Sequence, residues 1–428
     1  IEGATAAMNI PLLIRLEYKR SFGGPGTPLA LALLTLAGLL ALANGDRVIQ
    51  EQRANIEAAP QLEQQAHTRI LARHPDTGDA LYHLPWFTAH APAPLAPLVL
   101  GLREVQPYQL RVRMLTLEGQ LYESELSNPA LLATGSYDLT FVLVFLYPLV
   151  LIALLHSLVS GDREGGTWTL VLSNSTQPMQ LILLRAAVRT SAVVSVWLLT
   201  ISAAVYWLHL PADATLAGFV VVSVAFLLFC AAVATAVAAL SRTSDGSALL
   251  LAGVWLLWTV LLPAACNLAV SLAIPVPESL EVTLRQREGY HQQWDRPKQA
   301  TMERFFAQYP QFRSFHAPED RFSWGWYYAM HQQGDEESAA ASSELRAKLE
   351  LRRNWIRHLS WLSPPLRTQL QLSSIAQTDL ASHLRYLDAV RAHHRRVREF
   401  FYPLLMRNDA PPPIDWSAAP KMLRLEPR

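Results

Sequence analysis

The sequence predicts an α-helical integral membrane protein with five visible spans and a mainly helical α+β domain outside the bilayer, assembled from two insertions. Three observations carry this expectation. Apolar runs long enough to cross a bilayer core of ~30 Å recur along the chain. Apolar residues make up 51% of the 428 residues and charged residues only 17%, a balance shifted toward membrane proteins. The charges are also segregated: they crowd into 46–125 and 276–428 and are sparse in 137–275, so membrane and water-exposed portions alternate.

Taken in order, Ile1 to Ala7 reads as a tail ahead of Met8, so that 1–24 holds the tail and an amphipathic helix. Pro11 to Phe22 sets Leu12, Leu13, Leu16 and Phe22 against Arg15, Glu17, Lys19 and Arg20. Pro11 suits a first helical turn, and the pattern fits an interfacial helix lying on the cytoplasmic leaflet, with Arg15, Leu16, Lys19 and Arg20 as its lipid-facing and headgroup-facing residues. The first span covers 25–45, and its flanking cations place the N-terminus in the cytoplasm. A cleaved signal peptide is the rival reading of this run; four further spans and no clear cleavage site favour a retained helix.

Residues 46–136 form the first extracytoplasmic segment. Val48 to Leu71 has helical spacing with dense Gln and Glu. Pro75, Pro85, Pro92, Pro94 and Pro97 make the middle irregular. Leu110, Val112 and Met114 alternate with Arg111 and Arg113 as in a strand. Trp86 and Phe87 fit either the membrane interface or a core. Within 137–275 the remaining spans fall at about 139–158, 181–208, 216–240 and 248–274, with kinks expected at Pro148 and Pro263. Arg163, Arg185, Arg189 and Arg242 all fall on the side assigned to the cytoplasm. Residues 276–428 return outside, with helices expected over 279–309, 338–362, 366–372 and 376–402. The clearest stripe is Leu380, Leu384, Leu387, Val390, Val397 and Phe400 or Phe401. Pro411 to Pro413 ends the helical part, and the rest reads as extended.

One stretch organises the chain. After the second span, Ser157 to Gly166 breaks into a charged, Gly-rich turn, and Trp168, Leu170, Val171 and Leu172 then start a short amphipathic helix. The glycines let the chain fold back along the membrane surface. This stretch resembles the ABC-2 type permeases, membrane subunits of ABC transporters, in Glu164, Gly165 or Gly166, Thr167, Leu170, Leu172 and Ser173. Asn128 to Leu154, Trp324 to Asp335 and Ser373 to Pro403 are similar to a subfamily with two long periplasmic insertions, known only as a domain of unknown function.

The resemblance implies a coupling helix at about 160–174 that meets an ATPase subunit through Asp162, Arg163, Glu164, Gly165, Gly166, Thr167, Trp168, Leu170 and Leu172. The charges would set register and the apolar residues would fill a groove. It also implies a sixth span after the C-terminus shown, since Trp416 to Arg428 resembles the lead-in to that helix. The implied partners are two ABC ATPase subunits, a second permease copy or homologue, and lipid of the bacterial inner membrane. In a mechanotransmission alternative there is also a periplasmic protein. A receptor or scaffold without a motor is a further alternative.

The chemistry classes narrow the reading. No G-x-x-x-x-G-K-[ST] loop occurs, so ATP and Mg would be bound by the partner, with no cofactor in this chain. No G-x-S-x-G elbow accompanies the Ser, His and Asp residues, so the chain is expected not to be an enzyme. A net charge of +1 argues against nucleic acid. Cys230 and Cys266 lie in apolar runs and form no metal motif. The histidines outside the spans, among them His74, His83, His383, His393 and His394, lack a metal-ligand signature and are expected to be solvated or satisfied.

Overall fold

A computed structural model of the chain describes residues 10–122, 137–174, 178–276, 294–409 and 414–427, without the side chains of Leu172 and Asn174. The expected tail, the run from Asn128 to Ser136, the first part of the helix expected over 279–309 and Pro411 to Pro413 lie outside these residues.

The chain begins with α1 (Ile10–Phe22) and the 48-residue α2 (Gly26–Arg73). At 1.5 Å per residue α2 is ~72 Å long, more than twice a bilayer core. The expected first span is thus only its first half; the Gln- and Glu-rich helix continues from it without a break. α3 (Thr77–His83), β1 (Trp86–His90), β2 (Gln109–Val112) and α4 (Leu117–Tyr122) follow. Then come α5 (Leu139–Glu164), α6 (Trp168–Asn174), α7 (Pro178–Leu208), α8 (Ala214–Leu240) and α9 (Ser244–Ala273). The chain finishes with α10 (Lys298–Gln308), α11 (Trp324–Leu359), α12 (Pro364–Ile375), α13 (Leu380–Leu405) and β3 (Leu423–Leu425). Among the described residues, five helices, α2, α5, α7, α8 and α9, are long and apolar enough to cross a membrane.

Their shared core runs from Leu34 and Leu42 through Tyr147, Leu151 and Trp197 to Phe219, Phe226 and Leu227. Trp197 is fully buried and donates its indole N–H to Ser223 Oγ at 2.9 Å, which satisfies both polar groups away from water. The expected proline kinks take a specific form. In α5 the residues Val142–Leu146, and in α9 the residues Leu257–Leu261, form a π turn, and each turn ends two residues before a proline. Leu262 N–H bonds back five residues to Leu257 O. The next partner in that register would be Pro263, which has no N–H, so Trp258 O needs another donor. Ser363 Oγ, just ahead of α12, supplies it at 2.7 Å.

Outside the spans, the two insertions share one core. Leu81, Trp86, Val112 and Met114 of the first pack with Phe305, Tyr328, Val390, Phe401 and Tyr402 of the second. Trp86 and Phe87 are therefore core residues of β1, not interface anchors. The sheet order is β2-β1-β3: β1 pairs antiparallel with β2 and parallel with β3, with Thr88 opposite Leu423. Among the contacts that tie this domain to the spans, two are close packing contacts. A Cβ on Gly45 would lie 1.9 Å from Pro97 O, so α2 and the Pro-rich strap touch backbone to backbone. Leu372 and Ala376 at the end of α12 belong to the core of the spans, so α12 is a wedge between outer domain and membrane helices.

Candidate functional site

The charged turn after the second span lies at the end of the bundle opposite the outer domain, and it is built from the inside out. Ser160–Glu164 is a single helical turn that closes with Gly165 N–H on Gly161 O. Gly166 sits at φ +69 with open space where a Cβ would be, a conformation glycine adopts without cost. Thr167 N–H returns to Asp162 O at 2.9 Å, and α6 then leads away over Trp168–Asn174.

The three charges expected to face a partner are each engaged within the chain. Asp162 is 5% exposed and accepts from Arg20 Nη2 at 2.7 Å and from Arg185 Nη1 at 2.5 Å. Arg163 donates to Ser241 O at 2.7 Å and to Ala239 O, capping the C-terminus of α8. Glu164 accepts from Ser244 N and Ser244 Oγ, both at 2.7 Å, where a carboxylate also meets the positive end of α9. Sequence spacing hides this, because the donors come from α1, α7 and the 241–244 turn.

α1 differs from its expected amphipathic plan in a related way. The face turned to the protein carries Glu17, 5% exposed, while Leu12, Leu16 and Tyr18 are exposed. Glu17 Oε1 accepts from Arg189 Nε at 2.8 Å and Nη2 at 2.7 Å, and Arg185 Nε lies 3.7 Å from its other oxygen. Arg189 also donates to Leu154 O at 2.7 Å. Two carboxylates and three guanidinium groups thus bind α1, α5 and α7 into one network, and Arg20, with its side chain 45% exposed, is its wet edge. The Asp162 carboxylate beside it raises the Arg20 guanidinium above its usual range. Of the other residues expected at the interface, Arg15 and Lys19 are exposed.

What remains outward is a mixed surface. Gly165, Gly166, Thr167 and Leu170 are exposed, Leu170 at 62%. Trp168 is half-buried against the spans and takes the Arg163 guanidinium on its ring at 5.6 Å. Leu172 has its backbone on α6, and its side chain is outside the described residues. The arrangement offers a short, apolar-tipped helix on a charged base held by bonds within the chain.

Two further clusters are absent from the sequence expectations. His74, Asp79 and His83 place three ligand-type atoms within 4.8 Å of one another; the only sequence signal was Asp79 and His83 four apart on one helical face. The outer domain also buries Arg398 of α13 against Asp335 of α11 and half-buries Arg391 against Glu118 of α4.

A sequence family described as "Domain of unknown function (DUF3526)" matches residues 280–422, the greater part of the second insertion. No curated protein and no solved structure matches the chain.

Proposed function

We propose that the chain is the permease subunit of an ABC-2 type ABC transporter. It works in the bacterial inner membrane as a dimer, with a second copy or a homologue, and with two separate ATPase subunits. The observation that carries this reading is the short α6, presented at the end of the bundle remote from the outer domain. A lever needs a handle that cannot swivel on its base, and here Asp162, Arg163 and Glu164 fix that base to α7, α8 and α9. The outward contact to the ATPase then falls to Gly165, Gly166, Thr167, Leu170 and the ring of Trp168, with the three charges acting as positioning residues. In this reading α1 lies along the cytoplasmic leaflet, with Arg15 and Lys19 toward lipid headgroups, and the outer domain is periplasmic.

A second reading, mechanotransmission onto a periplasmic protein without cargo crossing, is favoured by α12. A helix wedged against the π turns of α5 and α9 converts rocking of the spans into motion of the outer domain. The cleft bounded by Pro148, Cys230, Trp255, Trp258, Thr259 and Pro365 has almost wholly apolar walls, which suits a lever or an apolar cargo better than a polar one.

Purification of the tagged chain from its own membranes tests the core proposal. Recovery of a nucleotide-binding subunit in comparable amount is expected; recovery with none overturns it. Leu170→Asp should abolish that co-purification while the chain still inserts in the membrane, and full retention of the ATPase would remove α6 as the handle.

A further inference from the structure

At the far end of α2, remote from the spans, the chain turns sharply into α3, and this turn gathers His74, Asp79 and His83. We propose that these three residues bind a divalent transition-metal ion of the zinc class, a property independent of the permease reading. His74 Nδ1 lies 2.6 Å from Asp79 Oδ2, and His83 Nε2 lies 3.8 Å from Asp79 Oδ1. In a tetrahedral zinc site with bonds of ~2.0 Å, neighbouring ligand atoms stand ~3.3 Å apart. The two separations run to the two oxygens of one carboxylate, and one ligand atom from each residue lies within 4.8 Å of the others, so side-chain rotation has to close the set onto one ion.

A simple ion pair accounts for the short His74–Asp79 contact. His83 approaches the other oxygen of the same carboxylate at 3.8 Å, so both rings converge on one acidic group. The His74 and His83 imidazoles face each other with centroids 4.2 Å apart and planes tilted by 33°. A single divalent cation held between the two rings and the carboxylate would use all three groups at once.

The frame is also rigid. Asp76 Oδ1 accepts from Asp79 N at 2.9 Å and caps α3. His74 N–H closes α2 on Ile70 O. Tyr328 donates its hydroxyl to Gly78 O at 2.9 Å, and a Cβ on Gly78 would sit 2.1 Å from Trp324 Cγ, so α3 is clamped to α11. Ligands on a clamped segment lose little freedom on binding. Two imidazoles and one carboxylate, without thiolate, suit Zn²⁺, Ni²⁺ or Cu²⁺ and discriminate against Mg²⁺ and Ca²⁺, which prefer all-oxygen sets. The side chains are 28%, 36% and 40% exposed, which leaves a coordination position open to water or to a donor from another protein.

The test is calorimetric titration of the chelator-treated full chain in detergent with Zn²⁺ alone, then with Mg²⁺ alone. One saturable Zn²⁺ site and no Mg²⁺ heat are expected. His74→Ala/His83→Ala should abolish it, and Asp79→Asn should weaken it by roughly tenfold or more. Unfolding midpoints of the metal-free variants near that of the parent exclude loss of fold as the cause. Co²⁺ gives a second readout: visible ligand-field bands in the parent that vanish in the double variant. No saturable Zn²⁺ site in the parent, or equal binding in the double variant, overturns the proposal.

Discussion

The two ends of the molecule both bury arginines, yet they use them differently. At the α6 end, Arg185 and Arg189 meet two carboxylates at the margin of the bundle, and the network opens to solvent through Arg20. In the outer domain Arg398, 3% exposed, pairs with Asp335 at 2.7 Å and donates to Met114 O, Leu115 O and Gln332. Arg391 similarly joins Glu118 and Ser342. In the outer network Arg398 is closed to solvent, Arg391 lies at its 23% exposed edge, and both staple α13 to residues more than 200 positions earlier, whereas the inner network ties surface helices together through Arg20, 45% exposed. The lesson is mechanical: the first kind of network makes a body, and the second makes a joint.

Acid should separate the two ends most strongly. Burial lowers His90 and His331 to about 3 and His383 and His393 to about 4, and it holds His394 well below the ordinary imidazole range. His331 is held neutral by its role as well: Nδ1 accepts from Thr116 N at 3.1 Å and Thr116 Oγ1 at 2.7 Å, a role that protonation would end. The unfolded chain binds these protons near pH 6.5 and the folded chain only near 3–4, so the stabilisation is complete above pH 6.5 and is lost as pH falls. Each histidine contributes up to about 1.4 kcal/mol per pH unit in that window. Glu63 and Asp138, each pushed up to about 6 by burial, work in the opposite sense, as do Asp335 and Glu336, which burial also raises, so the five histidines set the sign only where they outweigh these carboxyls. Near-UV circular dichroism of the full chain should show the outer aromatic core melting by ~pH 5 while far-UV signal from the spans persists. A core unchanged at pH 4 would break the contrast.

Next in size is Arg398→Met. It leaves Asp335 buried without its cation, and loss of one member of a sealed pair costs about 3–5 kcal/mol. Chemical unfolding followed by tryptophan emission checks it. At the other end, Asp162→Asn should cost less, about 2–3 kcal/mol, because Arg20 can turn to water. Its signature is local: hydrogen exchange should rise in 10–22 and 160–174 and stay unchanged in 324–405. Equal protection of α1 in the variant would show that the network is not a tether.

How far these features could be read in advance depends on the range of the interaction involved. The five spans were legible because a bilayer demands uninterrupted apolar length, a local property. The position of the turn at Gly165 and Gly166 was legible for the same reason. The partners of its charges were not, since Arg20 lies 142 residues from Asp162 and Ser244 lies 80 from Glu164. The α2 continuation was hidden because residues 46–73 change composition without changing conformation. β2 showed in its alternation, whereas β3 is three residues long and pairs with a strand over 300 positions earlier. Pro148 and Pro263 announced irregular helices, but a missing N–H alone does not say whether a kink or a π turn results.

That last ambiguity yields the smallest predicted effect and the sharpest probe of the joint between the two ends. Ser363 is fully buried; its hydroxyl donates to Trp258 O and accepts from Leu366 N at 3.2 Å, so one side chain both caps α12 and completes the α9 π turn. Ser363→Ala orphans a carbonyl that Pro263 cannot reach, at a cost of about 1–2 kcal/mol. The loss should appear as faster hydrogen exchange in 257–262 and 366–375 together, with the outer core untouched, and Ser363→Thr should restore most of the protection by returning the hydroxyl. If α9 loosens while α12 does not, the wedge is held by apolar packing of Leu372 and Ala376 alone, and the outer domain is coupled to the spans by shape rather than by this bond.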